Sequence, residues 1–171
     1  MSLFPPRRST PLQVLGLVAA LALCYAVAGL GAAASVQARD FYAALVRPAW
    51  APPGWVFAPV WSALFTAMAV AAWLVWRTPT SRPRARLVAL GLFAVQLAFN
   101  ALWSWLFFGW HLGGAALAEV LLLWLLIAAT TVAFRRVQPL AAWLLVPYLL
   151  WVAFASVLNF VLWRANPGVL G

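Results

Sequence analysis

For acid–base, nucleophilic or metal chemistry the chain offers one histidine, His111, one cysteine, Cys24, one aspartate, Asp40, and one glutamate, Glu119. These are too few to build a zinc site or the carboxylate pair of a glycosidase. No nucleophile elbow, phosphate-cradling glycine loop or dinucleotide fingerprint occurs. The composition therefore argues against ordinary acid–base and metal-assisted catalysis, and no metal site is expected. Binding, transport and sensing remain, together with redox or photochemistry carried by a bound chromophore and indoles.

Indoles are the abundant reactive group, with 12 tryptophans in 171 residues. Segment 49–61, AWAPPGWVFAPVW, sets Trp50, Trp55 and Trp61 around Pro52-Pro53-Gly54, directly ahead of a long apolar run. Two adjacent prolines fix successive φ angles and supply no backbone donors, so the stretch cannot be helix interior. Gly54 releases the chain into a helix beginning near Trp55. The expected product is a stiff, indole-lined loop at a membrane surface. Such a rim fits a lid over a pocket for a large, flat, apolar ligand, but by themselves these residues favour interfacial anchoring, which tryptophans provide in most membrane proteins.

A second polar signal lies further on. Gln96, Asn100 and Ser104 fall at i, i+4 and i+8 and share one helix face, flanked by Trp103 and Trp105. Bare amides in hydrocarbon are costly, so this stripe must face protein, a cavity or a ligand. Glu119 is the one carboxylate expected below the membrane surface, about two turns into its helix and ~10 Å from the outer end. His111 and Arg164 are its candidate partners, and a structural pair or snorkelling to the interface is preferred over a ligand role. Cys24, inside an apolar run, reads as an inert buried thiol and can form no intramolecular disulfide.

The elements that must position these residues follow from composition. Hydrophobic residues make up 67% of the chain and charged residues 8%, outside the range of a soluble domain. Crossing a bilayer takes ~20 apolar residues, and such stretches recur along the length. The expected fold is all-α: a single domain, residues 1–171, of five transmembrane helices at about 12–34, 55–76, 87–109, 113–134 and 139–163. Runs such as LLLWLLIAA fit helices rather than the alternation of a membrane barrel. Gly29 and Ala33 form a small-xxx-small pair suited to close helix approach. Residues 35–54 form the longest connection, with Arg39 and Asp40 a solvated pair worth little. Pro59 falls in the first turns of its helix, Pro147 well inside the last, where a kink or a freed carbonyl is expected. Residues 107–114 should make a tight turn.

Charge sets the orientation. Eleven arginines and no lysine give a net +9, a balance that in a soluble protein would suggest nucleic acid. Here the arginines lie between spans, so no nucleic-acid partner is expected. Arg7, Arg8, Arg77, Arg82, Arg84, Arg86, Arg135 and Arg136 share one side; Arg39, Arg47 and Arg164 hold the other. The positive-inside rule then puts the amino terminus in the cytoplasm, with the tryptophan-rich loop and carboxyl terminus outside. Residues 78–86 form a basic loop suited to anionic lipid headgroups. The first apolar run exceeds the ~7–15 residues of a signal-peptide core, so it reads as an uncleaved span.

Three blocks carry a resemblance: RPAWAPPGWVFAPVW from Arg47, QLAFNALWSWLFFG from Gln96 and PYLLWVAFASVLNFVLWRANPG from Pro147. In order, spacing and tryptophan content the chain resembles the TspO/MBR family of tryptophan-rich sensory and translocator proteins, also called peripheral benzodiazepine receptors. The resemblance implies a homodimeric five-helix membrane protein, here of a bacterial inner membrane, with a pocket capped by the loop between the first two helices. It implies ligands such as protoporphyrin, other flat apolar molecules or sterols, held without any resident cofactor. The implied function is a tetrapyrrole-binding sensor or transporter; light- and oxygen-dependent porphyrin breakdown by pocket tryptophans is the enzymatic alternative, and a purely structural protein the third. By motif position the implied ligand-binding residues are Trp50, Asn100, Trp103, Trp151 and Ala155, with Trp50 and Trp151 the candidates for any photochemistry. Phe160, ahead of Arg164, stands where the sterol-associated stretch usually carries tyrosine, which argues against sterol recognition. Phe154 fills a position that is smaller in some bacterial members.

Overall fold

The structure, a computed structural model, describes residues 9–80 and 82–171. Helix α1 (Thr10–Ala34) is followed by a short α2 (Ala38–Ala44), a 3-10 turn (Gly54–Val56) leading into α3 (Phe57–Arg77), then α4 (Pro83–Ser104), α5 (Gly113–Val137), α6 (Pro139–Ala165) and a terminal turn α7 (Pro167–Leu170). Five of these are long and apolar enough to cross a membrane, as the composition requires. These spans are Thr10–Ala34, Gly54–Arg77, Pro83–Gly109, Gly113–Val137 and Pro139–Ala165, the third beginning at Pro83 because proline is tolerated at a helix's first position. Arg7 and Arg8, two of the arginines used for orientation, lie outside the described residues.

Lipid supplies no hydrophobic drive between helices, so close approach depends on small side chains and buried hydrogen bonds. Around the end of the bundle that carries Arg77, Arg82, Arg84, Arg86, Arg135 and Arg136 the alanines do this. Ala69, Ala71, Ala89 and Ala141 are fully buried beside Met68, Val75 and Phe134. Helix α1 stands apart, with only Cys24 and Gly31 buried. Its close contacts are specific ones. Gly16 lies under the Trp76 ring and Gly31 against Ser104, where an added Cβ would fall 3.0 Å from the hydroxyl oxygen. The Trp73 indole donates to the Gln13 carbonyl at 2.8 Å. The expected Gly29–Ala33 approach is not used within the chain: nothing lies within 4 Å of a Cβ built on Gly29.

Two irregularities shape the end of the bundle opposite Arg77 and Arg136. Helix α4 continues into a π turn, Trp105–Gly109, a geometry concentrated at functional sites. His111 then takes φ 56°, the left-handed region that histidine enters more readily than most residues, and reverses the chain into α5. The predicted tight turn is thus a π turn plus one left-handed residue. Helix α6 runs unbroken through Pro147.

Candidate functional site

The first connection does not loop freely over the bundle. Ser35 ends α1, its hydroxyl donating to the Gly31 carbonyl at 2.9 Å, and the chain folds at once into α2. Tyr42, buried on this helix, donates its hydroxyl to the Pro52 carbonyl at 3.0 Å and so ties α2 to the double-proline turn. Burial pushes the Tyr42 phenol above its ordinary value, and the Arg47 guanidinium beside it pulls the other way. The far end of the connection is clamped by Asn166, whose side chain accepts from Val46 N–H at 2.8 Å and donates to the Val46 carbonyl at 3.0 Å. Both backbone groups of one loop residue are thereby satisfied by one amide. The result is a docked roof, packed through Tyr42 and Leu45 onto Phe107, Leu158, Leu162 and Leu170.

Beneath the roof lies a cavity of about 590 Å³ between α1, α3 and α4, within the range of small-molecule sites. Helix α1 lines it from Tyr25 to Ser35, so it runs ~15 Å along the bundle. The 3-10 turn contributes Trp55, α3 contributes Phe57, Trp61 and Phe65, α4 contributes Asn100, Trp103 and Ser104, and the π turn contributes Phe108. Its hydroxyls are largely committed: Ser62 donates to the Ala58 carbonyl at 2.9 Å, and Tyr25 meets Thr66 at 2.8 Å. Wide aromatic walls with few polar atoms suit a flat apolar molecule rather than a sugar or nucleotide.

The polar stripe of α4 explains the floor. The Asn100 amide donates to the Tyr148 hydroxyl at 2.9 Å, and Tyr148 donates onward to the Gln96 amide oxygen at 3.0 Å. Gln96 completes the relay with a contact to the Met68 sulfur at 3.9 Å. Gln96 and Asn100 are thus interhelical glue, while Asn100 also borders the cavity with its carbonyl oxygen uncommitted among the described residues. Trp103 is oriented the same way, its indole donating to Asn159 at 3.1 Å and Asn159 donating to the Gly113 carbonyl at 3.0 Å.

Of the five residues expected at the site, Asn100 and Trp103 line the cavity; Trp50, Trp151 and Ala155 lie outside its lining. For Trp151 the reason is Phe57. Its ring forms the wall there, and Trp151 meets that ring edge-on at 5.9 Å from behind. Trp151 packs on Phe154 at 5.5 Å, and Phe154 on Trp50 at 5.9 Å, so these aromatics form a chain leading away from the cavity to a half-exposed Trp50. Of the indole rim read from sequence, Trp55 and Trp61 line the cavity, whereas Tyr25 and Arg39 were missed as lining residues. The i, i+4 pairs Ala58–Ser62 and Trp61–Phe65 on α3 carried a usable signal. Arg39, read as paired with Asp40, makes no ion pair among the described residues.

Glu119 requires correction. It is 8% exposed, and both carboxyl oxygens are buried without a hydrogen-bond partner among the described residues. It neither snorkels nor pairs with the two candidates. His111 stacks on Phe41 with ring centroids 4.3 Å apart, and Arg164 lies over the Trp163 ring. Glu119 is buried on α5 together with Ala116, Val120 and Leu123, and both candidate partners are engaged with aromatic rings instead. Among the described residues no cluster of three or more His, Cys, Asp or Glu could hold a metal ion.

The TspO/MBR family model matches residues 20–164. A translocator protein of Homo sapiens is 47% identical over 131 residues, covering 77% of this chain and 78% of its own. The tryptophan-rich protein TspO of Chlorobaculum tepidum is 43% identical over 156 residues, 91% of this chain and 98% of its own. A tryptophan-rich sensory protein of Cereibacter sphaeroides is 41% identical over 146 residues, with 85% and 88% covered. Five apolar spans, a roofed aromatic cavity and a match across most of the length converge: this chain is an integral membrane protein of the TspO/MBR family.

Proposed function

We propose that this protein binds a flat, largely apolar tetrapyrrole of the protoporphyrin type in the cavity between α1, α3 and α4, and acts as a membrane sensor or transporter of that ligand. One observation carries the reading: a cavity of about 590 Å³ walled by Trp55, Phe57, Trp61, Phe65, Trp103 and Phe108, with the Asn100 amide at its floor. Indole and phenyl faces suit a broad macrocycle, and one uncommitted amide oxygen suits its polar centre or edge. The names of relatives, translocator and sensory proteins, are consistent with either role. The reading includes an outward-facing cavity mouth in a bacterial inner membrane. Arg77, Arg82, Arg84, Arg86, Arg135 and Arg136 at the opposite end support it. It also includes a homodimer in lipid, for which the sparsely buried α1 leaves apolar surface.

Titrating protoporphyrin in the dark should quench tryptophan emission saturably, since three tryptophans line the cavity. Strictly linear quenching would leave only a structural, lipid-anchored protein. The second reading, light- and oxygen-dependent porphyrin breakdown, draws on the same indoles. It requires illumination of the bound complex to produce a new absorption spectrum, while simple binding leaves the porphyrin bands intact.

A further inference from the structure

We propose that Arg39 reads an acidic group on the ligand, so that the site selects flat apolar molecules carrying a carboxylate, seated body first with the acid left at the mouth. This rests on the tetrapyrrole reading of the same cavity and goes on to specify the ligand's charge and orientation.

Among the described residues Arg39 is the one charged side chain lining the cavity. It stands at the second position of α2, in the roof, at the same end as Trp55, whose ring is 74% exposed. Deeper in the lining, ~15 Å from Trp55 along the helix, Phe65 is buried, as is Asn100, while Tyr25 stays half-exposed against Ser62 and Thr66. The polar chemistry is therefore graded: a neutral amide at the floor, a guanidinium at the mouth. A carboxylate at the floor would meet no cation; one at the mouth meets a group whose fork of donors matches it in two parallel hydrogen bonds.

The other cations of this end are engaged. Arg47 lies over the Tyr42 ring at 5.0 Å and Arg164 over Trp163 at 5.9 Å. Arg39 has neither ring, ion pair nor hydrogen bond among the described residues, and the adjacent Asp40 does not pair with it. An uncommitted guanidinium beside an apolar cavity attracts an anion more strongly than the same group in bulk water, because the low-dielectric wall weakens screening. A lipid phosphate is the competing anion, and the experiment separates the two.

The test uses the full chain in nanodiscs and two probes of one shape: protoporphyrin, with two ionised propionates at neutral pH, and its uncharged dimethyl ester. Wild type should bind the acid about tenfold or more tighter than the ester at low ionic strength, with the gap narrowing as salt is raised. Arg39→Gln should bring the acid down to the affinity of the ester and leave the ester unchanged. Arg39→Lys should restore much of the preference, since charge survives and the fork does not. Arg136→Gln, at the far end of α5, should alter neither probe. A preference that survives Arg39→Gln overturns the assignment, as does an equal loss for both probes, which is what a lipid-phosphate or structural role produces. Failure of wild type to bind either probe overturns the tetrapyrrole reading itself and this inference with it.

Discussion

The two ends of the bundle are built from the same helices and behave as opposites. Along α3, none of residues 57–63 is buried, whereas Leu64, Phe65, Met68, Ala69, Ala71, Ala72 and Val75 are. At the arginine end, buried alanines from α3, α4 and α6 let the backbones approach closely. At the mouth end, Trp55, Phe57, Trp61 and Trp103 hold the same helices apart and leave the cavity. Lipid surrounds both ends, so the difference cannot come from hydrophobic drive. It comes from side-chain shape and from where hydrogen bonds fix the aromatic rings.

One substitution made twice separates the two ends most visibly. Ala71→Phe inserts a ring into a fully buried site and should lower unfolding stability in detergent by about 3 kcal/mol. Ala58→Phe, on the cavity wall of the same helix, should leave the unfolding midpoint close to wild type and weaken porphyrin binding at least tenfold. Equal destabilisation by both would show that the mouth end is as tightly packed as the other. Next in size is the roof. Asn166→Ala removes three hydrogen bonds, two to Val46 and one to the Leu162 carbonyl, worth ~2–3 kcal/mol together. Hydrogen exchange should quicken at the Val46 amide while amides of residues 68–75 stay protected; uniform quickening would mean that roof and core unfold as one unit.

Smaller effects separate the tryptophans. Trp103→Phe takes a cavity-lining indole and its bond to Asn159, and should weaken porphyrin binding by several-fold, an effect of ~1 kcal/mol. Trp151→Phe acts only through the Phe57 wall and should cost less. Trp50→Phe, at the far end of the aromatic chain, should cost least. Trp76→Phe, packed on Gly16 at the arginine end, should leave affinity alone. If Trp50→Phe or Trp151→Phe proves the most damaging, the ligand reaches past Phe57 and the cavity bounds drawn here are too narrow.

The spans were legible because length and apolar composition dominate any helix in a bilayer. Asn100 and Trp103 were legible through helical periodicity and motif position. What escaped reading depended on distant contacts. Residues 38–44 contain no long apolar run, and their helix is stabilised by docking through Tyr42 and by the roof that Asn166 clamps, a partner 120 positions away. Phe57 screens Trp151 because of how α3 and α6 meet, a geometry that spacing within either helix does not encode. Arg39 looked neutralised by its sequence neighbour, yet adjacent residues on a helix point about 100° apart.

The smallest expected effect belongs to Glu119, and its sign is the informative part. Glutamine matches glutamate in shape and removes any charge, so Glu119→Gln isolates the electrostatic contribution. With both oxygens buried and unpartnered among the described residues, the carboxyl has no attraction to lose. Glu119→Gln should then leave stability unchanged or raise it, and should leave porphyrin affinity within about twofold, below ~0.5 kcal/mol. Were the carboxylate instead paired in the membrane, with Arg164 after a rearrangement or with a second copy, removing one partner would expose the other charge and destabilise by ~3–5 kcal/mol. Thermal unfolding of the two proteins in the same nanodiscs distinguishes these outcomes. A loss of that size would make Glu119 a structural ion-pair residue and extend the tight packing of the arginine end into the first half of α5.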